Sequence, residues 1–501
     1  MSASDHFTRR GVLAGLAAAM AAPALAEPPT RSLRPMPRPG AVRLAAPAVV
    51  RAPQVQVAGA DALIAAARLG GRVGFAVRDG NTGALLEGFD ADLPLPPASV
   101  AKTVTALYAL DRLGAGYRFA TRLLATGPVA GGRVQGDLVL TGSGDPTLTS
   151  DTLGDLAAAL RARGVRGITG RFLVHGGALP HIAAIAADQP DHVGYNPAVS
   201  GLNLNFNRVH FEWKRAQKGW QVSMDARADR FVPQVQMARM RVVDRQAPLF
   251  TYAQEGRRES WTVAAAALGK GGSRWLPVRQ PELYAAEVFQ TLARAQGIDL
   301  PEPRTAAGAV QGTVLAEAAS APLQVILRDM LRHSTNLTAE VVGLAASGAG
   351  GLADSGARMS AWLRARHGVA PRFVDHSGLG AASRISAADL SLVLAQVGAG
   401  GPLRPILRDF ALRDDRGRPM KAGPVTVAAK TGTLNFVSGL GGYATMPSGR
   451  VLSFAIFAAD VARRDRLSAA ERERPAGGAE WTQRARVLQS RLIERWAAVY
   501  G

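Results

Sequence analysis

Apolar positions recur along the chain at two different spacings, and the change from one to the other divides it. A helical, alanine-rich pattern begins near Asp61. RVGFAVRD, from Arg72 to Asp79, then reads as a strand, Gly80-Asn81 as a turn and GALLEGFD as a second strand. The run PPASVAKTVTALYAL stays mostly apolar behind two prolines and reaches a glycine stop at Gly114, which predicts a helix starting at Ala98 or Ser99. From about Tyr117 to Gln280, short alternating segments such as RFATRLLAT, RVQGDLVLTG and NRVHFEW are separated by turns. That texture predicts β-rich material with few long helices. Helical spacing returns at PELYAAEVFQTLARAQGI, PLQVILRDMLRH and NLTAEVVGLAAS, and three strands follow: VTVAAKTG, FVSGLGGYATM and GRVLSFAIFAAD. A last helix places Trp481, Ala485, Leu488, Leu492 and Val499 on one face. Two opening strands, a helical middle and three closing strands predict an α+β domain whose single sheet is built from both ends of the chain. Its parts would be residues 56–116 and 281–501, with 117–280 an inserted β-rich excursion.

Composition adds limits. A length of 501 residues exceeds one ordinary domain, and 47% hydrophobic with 20% charged residues is globular. No apolar run reaches the roughly 18–20 residues that span a bilayer. The net charge of +20 is scattered arginine, and aromatics are only 6%, so the basic stripe with stacking residues expected of a nucleic-acid binder is missing. A genome biased toward arginine codons would account for the excess; the functional alternative is peripheral attraction to an anionic envelope surface such as membrane lipid or cell-wall polymer. At the N-terminus, Thr8-Arg9-Arg10-Gly11-Val12-Leu13 precedes AGLAAAMAAPALA, which ends in Ala24-Leu25-Ala26. This predicts a twin-arginine-type signal peptide over 1–26, cleavage before Glu27 and a periplasmic destination. Residues 27–53 hold seven prolines and five arginines against one acid, so 27–55 reads as a linker. The chain has no cysteine, which excludes disulfides and thiol nucleophiles, and its eight histidines show no H-E-x-x-H pairing. No metal or other cofactor is expected.

Only six of the 59 basic residues are lysine, and one of them, Lys102, interrupts the apolar helix three residues after Ser99. Positions three apart share a helix face, so the amine can reach back to the hydroxyl. Burial lowers a lysine's pKa, a neutral lysine is a base, and a serine beside a base is a nucleophile. The bland alternative is an N-cap serine and a solvated lysine.

Two later stretches bear on that choice. His333-Ser334-Thr335-Asn336 lies between two helical patterns, where Ser334 or Asn336 could also be a cap. Lys430-Thr431-Gly432-Thr433 ends a strand, where the lysine could also be a solvated edge residue. S-x-x-K, S-x-N and K-T-G in that order form the signature set of class A β-lactamases and penicillin-binding proteins. With PASVAKTVTALYALDRLG, TGSGDPTLTSDTL, YNPAVSGLNLNFN, HSTNLTAE, VDHSGLG and KTGTLNFVSGLGGYA, the chain resembles the D-alanyl-D-alanine carboxypeptidase/endopeptidase family, class C low-molecular-mass penicillin-binding proteins, from about residue 61 onward. The long gap from Lys102 to Ser334 is similar to that family's inserted domains and unlike a class A β-lactamase.

The resemblance implies a serine β-lactamase/DD-transpeptidase-like fold, peptidoglycan stem peptides and β-lactams as partners, and no cofactor. It implies Ser99 as nucleophile, Lys102 as its base and Ser334 as proton relay. Asn336, Lys430, Thr431 and Thr433 would bind substrate, Lys430 taking the terminal carboxylate, with the Ser99 and Thr433 backbone N–H groups as oxyanion hole. Three departures stand out: S-T-N for the family's S-D-N, Asp375-His376-Ser377-Gly378-Leu379-Gly380 for D-G-S-G-L-S, and His175 where the family has an aspartate suited to a diaminopimelate amine. The last implies weaker preference for stem peptides with a free side-chain amine, unless Asp188 or Asp191 supplies the carboxylate. The competing readings are a β-lactamase or esterase on the same scaffold, and a non-catalytic wall-binding relative.

Overall fold

Alternate residues of the strand Arg72–Asp79 (β1) enter two different cores. Phe75 and Val77 pack into one and Ala76 into the other, which is why the strand reads as a continuous apolar run. The computed structural model describes residues 57–501 except 422, 424, 469 and 470. The predicted signal peptide, its cleavage site and the linker over 27–55 lie outside the described residues.

β1 belongs to a six-stranded antiparallel sheet made from both ends of the chain. Its order is Arg408–Asp409, Thr426–Leu434 (β3), Val437–Thr445 (β4), Val451–Ala459 (β5), β1 and Leu85–Phe89 (β2). One face is covered by the helices Ala60–Ala67 (α1) and Gly478–Tyr500, the last helix of the chain. In that last helix Trp481, Ala485, Leu488 and Leu492 are buried as the spacing predicts, but Val499 is 45% exposed. Trp496 completes the stripe instead, with its ring 5.7 Å from Phe75 and 5.6 Å from Phe454. Position 499 is five ideal turns from Trp481 and keeps the same direction, but it lies in the last turn of the helix, where its side chain stays exposed.

The opposite face carries a helical layer. Ala101–Leu113 (α2) is buried from Ala101 through Ala109 and packs among Leu323–His333 (α3), Asn336–Ser347 (α4) and Leu352–His367 (α5). A helix buried on all sides has no polar face to spend on solvent, so a lysine within it must find its partners inside.

The excursion ends later than the sequence pattern suggests. Helix Pro281–Ala295 packs into the excursion's own core through Tyr284, Val288 and Phe289, beside helix Ser150–Ala162. Strand Thr313–Ala319 pairs antiparallel with Ala120–Ala125, in a five-stranded sheet. The two ends meet where Ser320 N–H donates to the Phe119 carbonyl at 2.8 Å. The expected return at 281 is therefore corrected to about 320. Helix Ser150–Ala162 is likewise a thirteen-residue helix in a region expected to hold few. Three further three-stranded sheets, Trp220–Asp225/Arg208–Arg215/Gly271–Pro277, Ala238–Val243/Arg258–Ala264/Phe250–Glu255 and the short Val129–Ala130/Arg133–Val134/Gly167–Ile168, complete the excursion.

Candidate active site

Pro96 and Pro97 hold the chain out of the helix until a short 3₁₀ turn, Ala98–Val100, leads into α2. Ala98 has φ +47°, a left-handed conformation unfavourable for a residue with a Cβ. Gly378 closes over it, where a Cβ would fall 1.9 Å from the Ala98 carbonyl oxygen. On the other side the strand β3 comes as close. A Cβ on Gly432 would meet Pro97 O at 2.5 Å and Ser99 N at 3.0 Å, and Gly439, paired opposite Gly432, would meet Val100 at 3.0 Å. The glycine of K-T-G is thus a requirement of backbone approach, and it sets Thr433 beside Ser99.

Ser99 caps nothing, since neither the 3₁₀ turn nor α2 receives a side-chain cap. Its Oγ lies 2.9 Å from Lys102 Nζ. Lys102 is 0% exposed, and Nζ also donates to Asn336 Oδ1 and to the Ser377 carbonyl, each at 2.8 Å. Asn336 Nδ2 donates to the Tyr195 carbonyl at 2.9 Å, which fixes the amide so that its oxygen faces the lysine. Burial, then the charge of Lys430, hold Lys102 well below the ordinary lysine range, against an opposing pull from Glu340 and Asp375. A neutral amine has two N–H groups and one lone pair. The two obligate acceptors take the two N–H groups, and the lone pair is left for the Ser99 hydroxyl proton. This arrangement can generate a serine nucleophile.

Ser334 ends α3 at φ +59° and accepts from Lys430 Nζ at 3.0 Å. Lys430 also donates to the Thr431 carbonyl at 2.8 Å and is only 3% exposed, so the solvated-edge alternative does not describe it. Burial, with Arg408 nearby, lowers it to about 8. A cleft of about 1100 Å³ opens over these groups, lined by Ser99, Ser334, Asn336 and Thr433. Neither Lys430 nor Thr431 is among its lining residues, and the Thr431 side chain is exposed. His175 ends strand Phe172–His175 and also falls outside the lining, whereas Asp188 is in it, paired with Arg472 at 3.2 Å.

Beneath the site lie groups that the motifs did not announce. Glu340, fully buried, accepts from the backbone N–H groups of His376 and Ser377 at 3.0 and 2.9 Å. Asp375 accepts from Gly378 and Gly380 N–H at 3.2 and 2.6 Å and from Ser383 Oγ at 3.0 Å. Burial raises both carboxyls, and the charge of Asp375 pushes Glu340 up further. Together they fold the 375–380 loop so that the Ser377 carbonyl reaches Lys102. His376 is buried too, bonded to Ser355 Oγ at 2.6 Å through Nε2, and burial drops it to about 3. A charged residue inside NLTAEVV was the available signal for Glu340. Tyr195 contributes a backbone carbonyl, for which side-chain chemistry gives no signal.

The family model described as the D-Ala-D-Ala carboxypeptidase 3 (S13) family matches residues 56–484. The chain is 28% identical over 442 residues to a D-alanyl-D-alanine carboxypeptidase of Actinomadura sp. (strain R39), covering 79% of each chain. It is 24% identical over 417 residues to D-alanyl-D-alanine carboxypeptidase DacB of Haemophilus influenzae, covering 77% of this chain and 85% of that one. The crystal structure of penicillin binding protein 4 (dacB) from H. influenzae superposes with TM-score 0.70 at 22% identity, over 87% of this chain and 99% of that one. The expected α+β penicillin-binding-protein fold is the observed one. The chain belongs to the D-Ala-D-Ala carboxypeptidase 3 (S13) family of serine DD-peptidases.

Proposed function

We propose that the protein trims peptidoglycan stem peptides through an acyl-enzyme on Ser99. The observation that carries this reading is the environment of Lys102 Nζ: buried, with two N–H groups committed to Asn336 and Ser377 and Ser99 Oγ at 2.9 Å. Lys102 takes the Ser99 proton as Oγ attacks the carbonyl of the penultimate D-alanine. The Ser99 and Thr433 N–H groups stabilise the oxyanion, and the helix N-terminus adds partial positive charge. Ser334, polarised by Lys430, passes a proton to the departing amine. Water then attacks the ester: Lys102 takes one of its protons and hands it to Ser99 Oγ as the trimmed peptide leaves, which restores the neutral amine and the serine hydroxyl. The same steps cleave a cross-link when the leaving amine belongs to a neighbouring stem, so carboxypeptidase and endopeptidase reactions share one site. A β-lactam enters as substrate mimic, as a complex of the H. influenzae protein with a β-lactam supports. Export to the periplasm by the twin-arginine route belongs to the same proposal.

The test supplies the mature protein with a pentapeptide ending in D-Ala-D-Ala and with a cross-linked stem dimer, and measures released D-alanine and monomer. Release from both, absent in Ser99→Ala, is expected. Turnover of simple esters or of penicillin with neither peptide cleaved would instead assign the scaffold to an esterase or β-lactamase.

A further inference from the structure

Arg486 lines the cleft beside Thr433, donating from Nη2 to Thr433 Oγ1 at 3.3 Å. It sits half-buried and forms no ion pair among the described residues. Arg413 is tied beside it: its backbone N–H is held by Ser490 Oγ at 2.9 Å, that hydroxyl donates to the Arg486 carbonyl at 3.2 Å, and the Arg413 charge acts on the Arg486 guanidinium. Arg413 lines the same cleft, also forms no ion pair among the described residues, and keeps a buried Nε without a partner. Burial and the Arg413 charge both push Arg486 below the ordinary arginine value, with no acid opposing them. Of the other cleft-lining arginines, Arg472 pairs with Asp188, whereas Arg416, Arg464 and Arg474 also form no ion pair among the described residues; Arg486 differs from these in being the one bonded to Thr433 Oγ1. Two adjacent, partly desolvated guanidinium groups without a counter-ion are unfavourable until an anion joins them.

The family resemblance gave the substrate's terminal carboxylate to Lys430. In the structure that ammonium is buried, outside the cleft lining, and committed to Ser334 Oγ and the Thr431 carbonyl. The carboxylate of an acyl-D-Ala-D-Ala peptide is three bonds from its scissile carbon, so with that carbon at Ser99 it falls near Thr433. We propose that Arg486, together with Thr433 Oγ1, is the direct clamp for the substrate's terminal carboxylate, backed by Arg413, while Lys430 serves Ser334. This rests on the DD-peptidase reading above. A guanidinium offers a planar fork to a carboxylate, and such charge-assisted pairs are directional enough to select for a free acid.

The test compares a diacetyl-L-Lys-D-Ala-D-Ala peptide with its C-terminal amide, in wild type, Arg486→Gln and Arg486→Lys. The ratio of kcat/KM for acid over amide should fall in Arg486→Gln by on the order of 10- to 100-fold, the worth of a charge-assisted hydrogen bond. Arg486→Lys should keep part of it. A merely structural role would lower both substrates together and leave the ratio unchanged, and that result would overturn the assignment. A wild type that neither cleaves the acid peptide nor reacts with benzylpenicillin would instead overturn the reading beneath it.

Discussion

Replacing Gly343 by alanine tests how the departure at His376 is accommodated next to Lys102. An ideal Cβ at Gly343 would lie 2.1 Å from His376 Cγ, 2.2 Å from Cδ2 and 2.3 Å from Nδ1. Ordinary carbon contacts begin near ~3.5 Å, so the ring must retreat by more than about 1 Å. It has nowhere to go: it is fully buried, bonded to Ser355 at 2.6 Å, and stacked on Tyr108 at a centroid distance of 6.3 Å. Overpacking costs about 1–3 kcal/mol, and loss of the Ser355 bond about 1 kcal/mol more. Gly343→Ala should therefore destabilise the protein by roughly 2–4 kcal/mol in urea unfolding. Because Ser377 follows His376 and its carbonyl holds Lys102, acylation by a fluorescent penicillin should slow in the folded variant as well. In the double variant with His376→Ala the new methyl enters space that the ring has vacated. That protein should be no less stable than His376→Ala alone. A Gly343→Ala protein with an unchanged midpoint, or a double variant showing the two losses simply added, would refute the packing argument.

Ser99→Ala should leave the urea midpoint nearly unchanged, since the serine caps no helix, yet abolish penicillin acylation. Lys102→Arg should also fail to acylate, because a guanidinium cannot give up its proton at neutral pH; a near wild-type rate would remove Lys102 from the role of base. Lys430 lies at about 8 against an ordinary 10.5, so it is cationic below that pH and neutral above it. Acylation should decline through about pH 8, and Lys430→Arg should move that limb upward; an unmoved limb would assign it to another group. His376 stays neutral in the fold down to about pH 3, whereas the unfolded chain binds that proton below about 6.5. Stability should fall by about 1.4 kcal/mol per unit as pH drops through that window, and His376→Phe should flatten the slope in acid-unfolding curves.

The core of the site could be read from the chain because its signals were local. Ser99 and Lys102 are one helical turn apart, and a lysine in an apolar helix of an arginine-rich protein is conspicuous. The sheet showed itself through strand texture at both ends. What escaped was long-range. The amphipathic spacing of 281–295 announces a buried face but not which core receives it, so the end of the excursion was placed some forty residues early. Val499 was assigned to the buried seam by its five-turn spacing from Trp481, but in the last turn of the helix it is exposed, and Trp496 fills the seam instead. Glu340 and Asp375 act through backbone N–H groups on a loop that only folding creates. Arg486 was one arginine among many, and only its place opposite Thr433 distinguishes it.

The central claim is that Ser99 is the nucleophile and Lys102 its base. The most direct measurement is intact mass after incubation with benzylpenicillin, followed by proteolysis and mapping of the modified residue. The account predicts one penicilloyl group per chain, carried by Ser99, and none on Ser99→Ala or Lys102→Arg. Modification of another residue, or an adduct that survives undiminished in Ser99→Ala, would contradict it.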